Sequence, residues 1–339
     1  MRRVSAEGLQ AGMVLARPIR GPDGQVLVTA GARVGPGLSV RLARVGIDTV
    51  YVEDPRFAGL DLEDEVPAAC RRLALDLWAD LPAPADLPGR IRPLMKLLEA
   101  ATPPGQPVGL LRPGGEGQYL AIQAINGARL CLAAAPYVGQ APYAPDLALS
   151  ALLRDIGMAK VPQEWRERPG PLSVEETGKV QAHVDAGVAV LEDPYWSPFV
   201  RLGVRQHHER LDGSGYPHQL SGDDLHPGGA LVGAVDMLCA LMCDRPYRPK
   251  LPPEEALDTL LGMADWLFPM RVVTAIARCL ALYPLGTVVQ LDSGAQAVVV
   301  HPGRGTQERP RVRLLDGGHE VDLGAPEHLR VRIAAVTEQ

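Results

Sequence analysis

One short run of the chain carries residue types suited to metal chemistry. The run from Gln206 to Leu220 reads QHHERLDGSGYPHQL and contains two adjacent histidines, His207 and His208. Neutral imidazole is the commonest metal ligand in proteins, and neighbouring histidines can serve one or two ions where the backbone turns between them. A histidine pair alone is weak evidence, because such a pair more often belongs to a polar surface than to a metal site. The residues after the pair predict a shaped loop, because Gly213 and Gly215 permit positive φ.

Three further residues offer ligand atoms from otherwise apolar segments. Asp155 lies in LLRDIGMAKVP, His183 in VQAHVDAGVAVLE and Asp236 in GAVDMLCAL. A charged side chain on an apolar helix face is rarely buried unless it is paired or bound to a metal. The residues alone leave alternatives open: Asp155 paired with Arg154, His183 as an ordinary helical histidine, and Asp236 facing solvent.

Helical patterns surround these candidates from about residue 118 to 283. Apolar residues at helical spacing predict helices over 120–135, 147–157, 173–191, 196–206, 231–243, 253–261 and 272–282. Ser173 and Glu176 fit a capping box at the start of the third of these helices. Helical bundles build metal sites from isolated polar residues on facing helices, so we predict an all-α domain around the candidate ligands.

Smaller elements flank this domain on both sides. Residues 1–54 combine short apolar strands around the turn GPDG with one short helix, and residues 284–339 alternate strands with the turns DSG, GRG and DGG. Residues 55–117 hold helical stretches separated by Pro- and Gly-rich breaks. We therefore expect a multidomain α+β chain. It comprises a β-rich module (1–54), a helical connector (55–117), a helical domain (118–283) and an antiparallel β module (284–339).

Composition narrows the class of protein. The chain has 339 residues and a net charge of -6, so no global basic field is available to hold a nucleic-acid polymer. Its five cysteines are scattered and form no CxxC pair, which favours free thiols over disulfides or a thiolate zinc site. The N-terminal residues lack a signal-peptide pattern, and no apolar run is long enough to span a membrane. We expect a cytoplasmic protein.

The run HHE-x-x-DGSGYP resembles the signature of the HD-GYP family, in which Gly215, Tyr216 and Pro217 form the GYP loop. The segment DRPYR, from Asp244 to Arg248, is similar to another motif of that family. The two β-rich modules also resemble those often attached to HD-GYP domains. The resemblance implies an HD-type helical bundle that hydrolyses cyclic di-GMP with the help of divalent metal ions.

The resemblance assigns roles to the candidate ligands. Asp155 falls on the aspartate of the HD pair, which bridges two metal ions in the family. His183, His207 and His208 fall on three further ligands of one of these ions, and Asp236 falls on a late aspartate that serves the other. Asp155 and Asp236 are thus implied as catalytic residues as well as ligands.

Substrate contacts are implied in the same way. Arg245 and Arg248 fall on positions that clamp substrate phosphate in the family, and the planar guanidinium group suits phosphate geometry. Without the resemblance, the same two arginines could equally lie on a solvated helix end. Tyr216 of the GYP loop is the third expected substrate contact.

Four positions depart from the family pattern. Gln123 stands at the place of a first histidine, in Q-A-I-N-G-A against H-S-x-N-V-A, and Arg154 replaces the histidine of the HD pair. Met158 stands at the place of a lysine and Cys239 at the place of a second aspartate. Arginine keeps its proton and cannot bind a metal, so one of the two metal positions has lost most of its ligands.

We therefore expect one divalent ion, iron or manganese, instead of two or three. Arg154 is expected to fill the vacated place with its guanidinium, paired to Asp155 or Asp236. Loss of the second ion removes stabilisation of the nucleophile and the leaving group, which could slow hydrolysis by several orders of magnitude.

Two functions of different class follow from these matches and departures. The first is a metal-dependent phosphodiesterase that hydrolyses cyclic di-GMP to pGpG or GMP with reduced activity. The second is a non-catalytic receptor for cyclic di-GMP, or a scaffold that docks a diguanylate cyclase domain protein through the GYP loop. A phosphohydrolase for another nucleotide is a third alternative. Homodimer formation is compatible with each of them.

Overall fold

The computed structural model describes residues 1–6, 8–21, 25–44, 47, 49–60, 62, 66–79, 86–111, 118–166, 170, 173–243, 250–303 and 308–338. The chain divides into two compact units. The β-rich unit comprises Met1–Asp64, Pro113–Tyr119 and Ala281–Gln339, and the helical unit comprises Glu65–Arg112 and Leu120–Leu280. The expected fold class is confirmed: a helical bundle is accompanied by small antiparallel sheets formed by the two ends of the chain.

The N-terminal part of the β-rich unit forms two antiparallel strand pairs and one helix. Its elements are β1 (Arg2–Ser5), β2 (Ile19–Arg20), β3 (Val26–Val28), α1 (Leu38–Arg44) and β4 (Thr49–Val52). Strand β2 pairs with β3, which confirms the predicted hairpin, and β1 pairs with β4. Side chains alternate along a strand. Val50 and Val52 therefore enter the same core as Leu15 and Leu42, while Tyr51 joins a second core.

The C-terminal part of this unit is one five-stranded antiparallel sheet. Its strands are β5 (Val288–Leu291), β6 (Gln296–His301), β7 (Arg311–Leu314), β8 (Glu320–Asp322) and β9 (Ile333–Glu338), in the order β8-β7-β6-β5-β9. Four of these strands were predicted, whereas β9 and the N-terminal β1 were not. Tyr51 and Phe57 share a core with Val288 and Val298, so both ends of the chain contribute to one packed unit.

The described part of the helical unit is built from α-helices. Its helices are α2 (Ala68–Ala79), α3 (Leu87–Ala101), α4 (Tyr119–Ala134), α5 (Ala144–Leu153), α6 (Gln163–Arg166), α7 (Val174–Gln181), α8 (His183–Val190), α9 (Pro198–Gln206), α10 (Pro227–Leu241), α11 (Pro253–Leu261) and α12 (Met270–Cys279). The predicted capping box is confirmed, since the Glu176 N–H donates to Ser173 Oγ and the Ser173 N–H to Glu176 Oε2.

One predicted helix is wrong. The sequence pattern indicated a continuous helix over 173–191, but the chain turns at Ala182, where ψ is -9°, and forms α7 and α8 instead. The reason is tertiary packing: α8 approaches the turn after α5 so closely that a Cβ on Gly157 would overlap the His183 carbonyl group. Apolar periodicity continues across such a break and does not reveal it.

The centre of the helical unit is formed by helices that are apolar on almost every face. Helices α4 and α10 bury most of their residues, and α5, α9 and α10 pack against one another. Polar residues of α4 fix the preceding segment: Asn126 exchanges two hydrogen bonds with the backbone of Leu111, and Arg129 donates to the Gly109 carbonyl. All five cysteines are buried and free. Among the described residues, no helix has the length and apolar character needed to cross a membrane.

Candidate metal centre

Four predicted ligands come together inside the helical unit. Asp155, His183, His207 and His208 each offer one ligand atom, and these atoms all lie within 4.8 Å of one another. Asp155 follows α5, His183 opens α8, and the two adjacent histidines follow the last turn of α9. The ends of three separate helices thus bring together side chains that are up to 53 positions apart in the sequence, from 155 to 208.

The hydrogen bonds of two histidines fix which ring nitrogen can act as a ligand. His183 Nδ1 lies 2.7 Å from the Val180 carbonyl oxygen, and His207 Nδ1 lies 2.7 Å from that of Val204. A carbonyl oxygen only accepts, so in the neutral rings both Nδ1 atoms carry the proton and both Nε2 atoms have a free lone pair. The two Nε2 atoms are 3.4 Å apart. Lone pairs that face each other repel, and a shared cation removes that repulsion.

Burial keeps the two adjacent histidines in the neutral form that binds a metal. His207 is fully buried. Burial, opposed in part by the charges of Asp155 and Asp236, lowers the pKa of His207 to about 4. Burial and the neighbouring His207 and His183 also hold the pKa of His208 well below its ordinary value. Both rings are therefore neutral at pH 7. Together with the neighbouring carboxylate, they form a set of nitrogen and oxygen donors that suits a divalent metal ion.

The GYP loop covers one side of this cluster. The Tyr216 ring stacks on His208 with 4.5 Å between ring centroids and 23° between planes, and its backbone N–H donates to the His208 carbonyl. Burial and the charges of Asp155 and Asp236 raise the pKa of Tyr216, so its hydroxyl keeps its proton and can donate a hydrogen bond. The Tyr216–Pro217 peptide bond is cis.

Glu209 ties this loop to the histidines, a role that sequence reasoning missed. Its fully buried carboxylate accepts hydrogen bonds from the backbone N–H of His218 at 2.7 Å and of Leu220 at 3.0 Å. The explanation for Gly215 also changes. Of the two glycines, Gly213 has a positive φ of +78° and Gly215 does not. A glycine is required at position 215 because a Cβ there would overlap the backbone of Glu209. The sequence feature that could have indicated this role is the position of Glu209 directly after the histidine pair.

The other side of the site is occupied by a guanidinium group. Arg154 is 2% exposed, and its Nε lies 2.7 Å from Asp236 Oδ1 and 3.3 Å from Asp155 Oδ2. Its Nη1 donates to the Ala151 carbonyl at 2.6 Å. The expected pairing of Arg154 is thus confirmed, with both carboxylates instead of one of them.

Charge and burial oppose each other in this ion pair. Burial alone lowers the pKa of Arg154, but the attraction of Asp236 and then Asp155 outweighs it and raises the pKa. Burial likewise raises the pKa of Asp236, and the nearby Arg154 charge more than compensates, so that the net pKa is lowered. Both groups are charged at neutral pH, and Asp236 directs one oxygen at the guanidinium.

The groups on the Arg154 side do not form a binding site for a second metal ion. Gln123 donates through Nε2 to the Cys239 carbonyl at 2.8 Å and to Cys243 Sγ at 2.5 Å, so it directs a donor, not a ligand, toward α10. Burial raises the pKa of the Cys239 thiol, which stays protonated. Among the described residues, the metal-ligand group contains Asp155 and the histidines but not Asp236. The role of Asp236 as a ligand stays a prediction.

The remaining predicted positions are Arg245, Arg248 and Met158. Arg245 and Arg248 lie outside the described residues, so their role as substrate contacts stays a prediction. Met158 is half-buried in the short helical turn Ile156–Lys160 that follows Asp155.

A family profile described as the HD domain matches residues 132–270. This stretch contains all four clustered ligands and Asp236. This stretch is therefore similar to an HD domain, and it contains a histidine and aspartate cluster that could hold a divalent metal ion.

Curated relatives narrow the class further. A cyclic di-GMP phosphodiesterase of Pseudomonas aeruginosa is 32% identical over 176 residues, which is 51% of this chain and 42% of that protein. A cyclic di-GMP phosphodiesterase of Thermotoga maritima is 32% identical over 139 residues, 40% of this chain and 38% of that protein. A 3'3'-cGAMP-specific phosphodiesterase of Vibrio cholerae is 33% identical over 137 residues, 40% of this chain and 29% of that protein.

The chain thus spans less than half the length of these three relatives. Together with the HD-domain match, they confirm the resemblance to the HD-GYP family drawn from HHE-x-x-DGSGYP.

Proposed function

We propose that this chain is a metal-dependent phosphodiesterase that hydrolyses cyclic di-GMP to pGpG or GMP. The observation that carries the proposal is the convergence of one carboxylate and three imidazoles, with the Nε2 atoms of His183 and His207 facing each other at 3.4 Å. The names of the Pseudomonas aeruginosa and Thermotoga maritima relatives support this choice of substrate.

A single divalent ion, iron or manganese, is the proposed cofactor. Imidazole and carboxylate donors suit such ions. When bound, the ion would supply Lewis acidity, lowering the pKa of a bound water and withdrawing charge from a phosphate oxygen. Burial keeps His207 and His208 neutral, and the carbonyl groups of Val180 and Val204 orient the Nε2 lone pairs of His183 and His207.

Other side chains have proposed roles in binding the substrate. Tyr216 presents a protonated hydroxyl beside the cluster, and we assign it a hydrogen bond to a substrate oxygen. Arg245 and Arg248 are proposed to clamp a phosphate. Asp155 is the proposed catalytic carboxylate, and Asp236 acts through Arg154, which contacts both acids.

We expect the reaction to be slower than in a site with two ions. One ion can polarise the phosphate, but it cannot also stabilise the leaving oxygen from the opposite side. Each factor of ten in rate corresponds to about 1.4 kcal/mol of transition-state stabilisation. A reduction of several orders of magnitude is compatible with that loss.

The test is hydrolysis by purified protein loaded with Mn²⁺ or, without oxygen, with Fe²⁺. Cyclic di-GMP and 3'3'-cGAMP are supplied separately, because the Vibrio cholerae relative is named for the second dinucleotide. We expect linear pGpG, and then GMP, to accumulate with time, and no product from His207→Ala under the same conditions. Product from 3'3'-cGAMP alone would reassign the substrate, and metal-independent hydrolysis would refute the mechanism.

A non-catalytic receptor is the second candidate, and the Arg154 side of the site favours it. A guanidinium between two carboxylates, with Gln123 turned to α10, leaves a site that can bind phosphate without being built for rapid turnover. Calorimetry with cyclic di-GMP separates the two functions, since saturable binding without linear product indicates a receptor. Co-purification with a diguanylate cyclase domain, lost on changing the GYP loop, would indicate a scaffold.

A further inference from the structure

We infer that Arg154 is a built-in cation that replaces a second metal ion, and that Gly127 provides the space its guanidinium occupies. The inference deepens the proposed single-ion phosphodiesterase and rests on it. It gives a structural purpose to departures that the sequence shows only as losses.

The first observation is steric. Gly127 lies inside α4 and is buried, and a Cβ added there would meet Arg154 Nη1 at 2.9 Å, Ala151 Cβ at 3.4 Å and Val235 Cγ1 at 3.7 Å. Glycine in a helix interior is less favourable than alanine. Arg154 and Gly127 are therefore sterically complementary.

The second observation is electrostatic. Asp155, which follows α5, and Asp236 of α10 are two acids from separate segments, and Arg154 Nε contacts an oxygen of each. Two close carboxylates repel unless a cation lies between them, and arginine is a cation that neither dissociates nor deprotonates. The guanidinium thus supplies permanently the positive charge between the two carboxylates that a second ion would supply only when bound.

The third observation is directional. Arg154 contacts Asp155 Oδ2, while Asp155 Oδ1 lies on the side of His183 Nε2, 3.8 Å away. The Arg154 side chain is itself held by the Ala151 carbonyl. Arg154 is therefore a positioning residue. It holds one oxygen of Asp155 so that the other oxygen faces the histidines, and it forms an ion pair with Asp236.

The stability of metal-free protein tests the space at Gly127. Gly127→Ala is compared with Gly178→Ala, a matched glycine in the exposed helix α7 with nothing within 4 Å of its added Cβ. We expect Gly178→Ala to melt at or above the wild type and Gly127→Ala to melt at least about 3 °C below it. Equal melting temperatures for the two variants would overturn the role of Gly127.

Metal stoichiometry tests the role of Arg154. Titration with Mn²⁺, followed by electron paramagnetic resonance, should give one ion per chain in the wild type, with no spin-coupled pair. Gln123→His alone should remain at one ion, because the guanidinium still fills the second place. Gln123→His with Arg154→His should reach two ions and show spin coupling. A second ion in the single variant, or only one in the double variant, would refute the inference.

A conservative variant separates charge from geometry. Arg154→Lys keeps the positive charge without the guanidinium fork, so it should still exclude a second ion while binding the first about tenfold more weakly. Arg154→Gln keeps hydrogen bonding without charge, and it should leave the carboxylates free to take up a further ion. If the lysine and glutamine variants hold the same number of ions, the charge of Arg154 is irrelevant and the inference fails.

These outcomes distinguish the inference from the proposed function. A wild type with one ion and no hydrolysis supports the inference and overturns the phosphodiesterase. A wild type with two ions overturns the inference and leaves hydrolysis intact. A wild type that retains no ion overturns both.

Discussion

The site has two sides that differ in what they direct at its centre. On the histidine side, formed by Asp155, His183, His207 and His208, ring nitrogens without protons converge. On the arginine side, formed by Gln123, Arg154 and Asp236, N–H donors fill the space and the carboxylate is already paired. Both sides are buried and polar. What separates a metal site from an ion pair is therefore the direction of lone pairs and protons, not polarity or burial.

The two aspartates provide the sharpest comparison, because the same change affects each side differently. We expect Asp155→Asn to lose at least about a hundredfold in metal affinity, since changes to groups that only support ligands already cost 10- to 100-fold. Hydrolysis should fall to background. Metal content after dialysis, measured by mass spectrometry, checks this expectation. Retention of a full ion by the variant would exclude Asp155 as a ligand.

Asp236→Asn should affect the fold more than the metal. Arg154 would keep a buried charge without its nearest carboxylate, and breaking such a pair costs about 3 kcal/mol of unfolding free energy. We expect one ion per chain to be retained, with an affinity within about tenfold of the wild type. Urea unfolding and metal analysis on the same sample measure both quantities. A complete loss of metal would place Asp236 on the histidine side.

Glu209→Ala tests whether the Glu209 carboxylate fixes the loop that carries Tyr216. Two hydrogen bonds to a buried carboxylate disappear, and we expect a loss of about 2–3 kcal/mol in the free energy of unfolding. The Michaelis constant should rise while metal content is unchanged. Glu255→Ala, on the exposed first turn of α11, is the matched control. Equal stability of the two variants would show that Glu209 does not hold the loop.

Asp54→Asn gives the smallest effect and contrasts an exposed ion pair with the buried one. Burial raises the pKa of Asp54, but its bonds to Arg56, 2.6 Å away, outweigh this and lower it. A lowered carboxyl pKa contributes stability above the unfolded value of about 3.9, and this is lost as the pH falls through the folded pKa. We expect about 0.5–1 kcal/mol at pH 7 and no difference near pH 2, by urea unfolding. A difference that persists at pH 2 would assign it to the Asp54 cap and not to charge.

Sequence patterns predicted most helices because apolar periodicity is a local property. The helices at 68–79 and 253–261 begin and end where expected. The break at Ala182 was missed because it results from the approach of Gly157, which is distant in sequence. Strand β9 was missed because Ile333–Glu338 is an edge strand whose partner, β5, lies more than 40 residues earlier.

The candidate ligands were predicted from their motifs, yet their motifs did not give their geometry. From residue types alone, Asp155 could be either a metal ligand or an ion-pair partner of Arg154. The structure shows that Oδ2 of Asp155 faces Arg154 and that Oδ1 faces His183. Glu209 and Gly127 were not recognised, because their importance comes from what lies against them in space.

By itself, the sequence predicted the resemblance to the HD-GYP family, the helical domain and four candidate ligands, since these depend on residue types at fixed spacings. Only the tertiary structure decided that Arg154 bridges two acids, that Gly127 makes room for it, and that two imidazole lone pairs face each other. These facts depend on distances of a few ångströms between helices that are far apart in the chain. Hydrogen bonds and steric overlap change sign over such distances, and spacing along a sequence does not encode them.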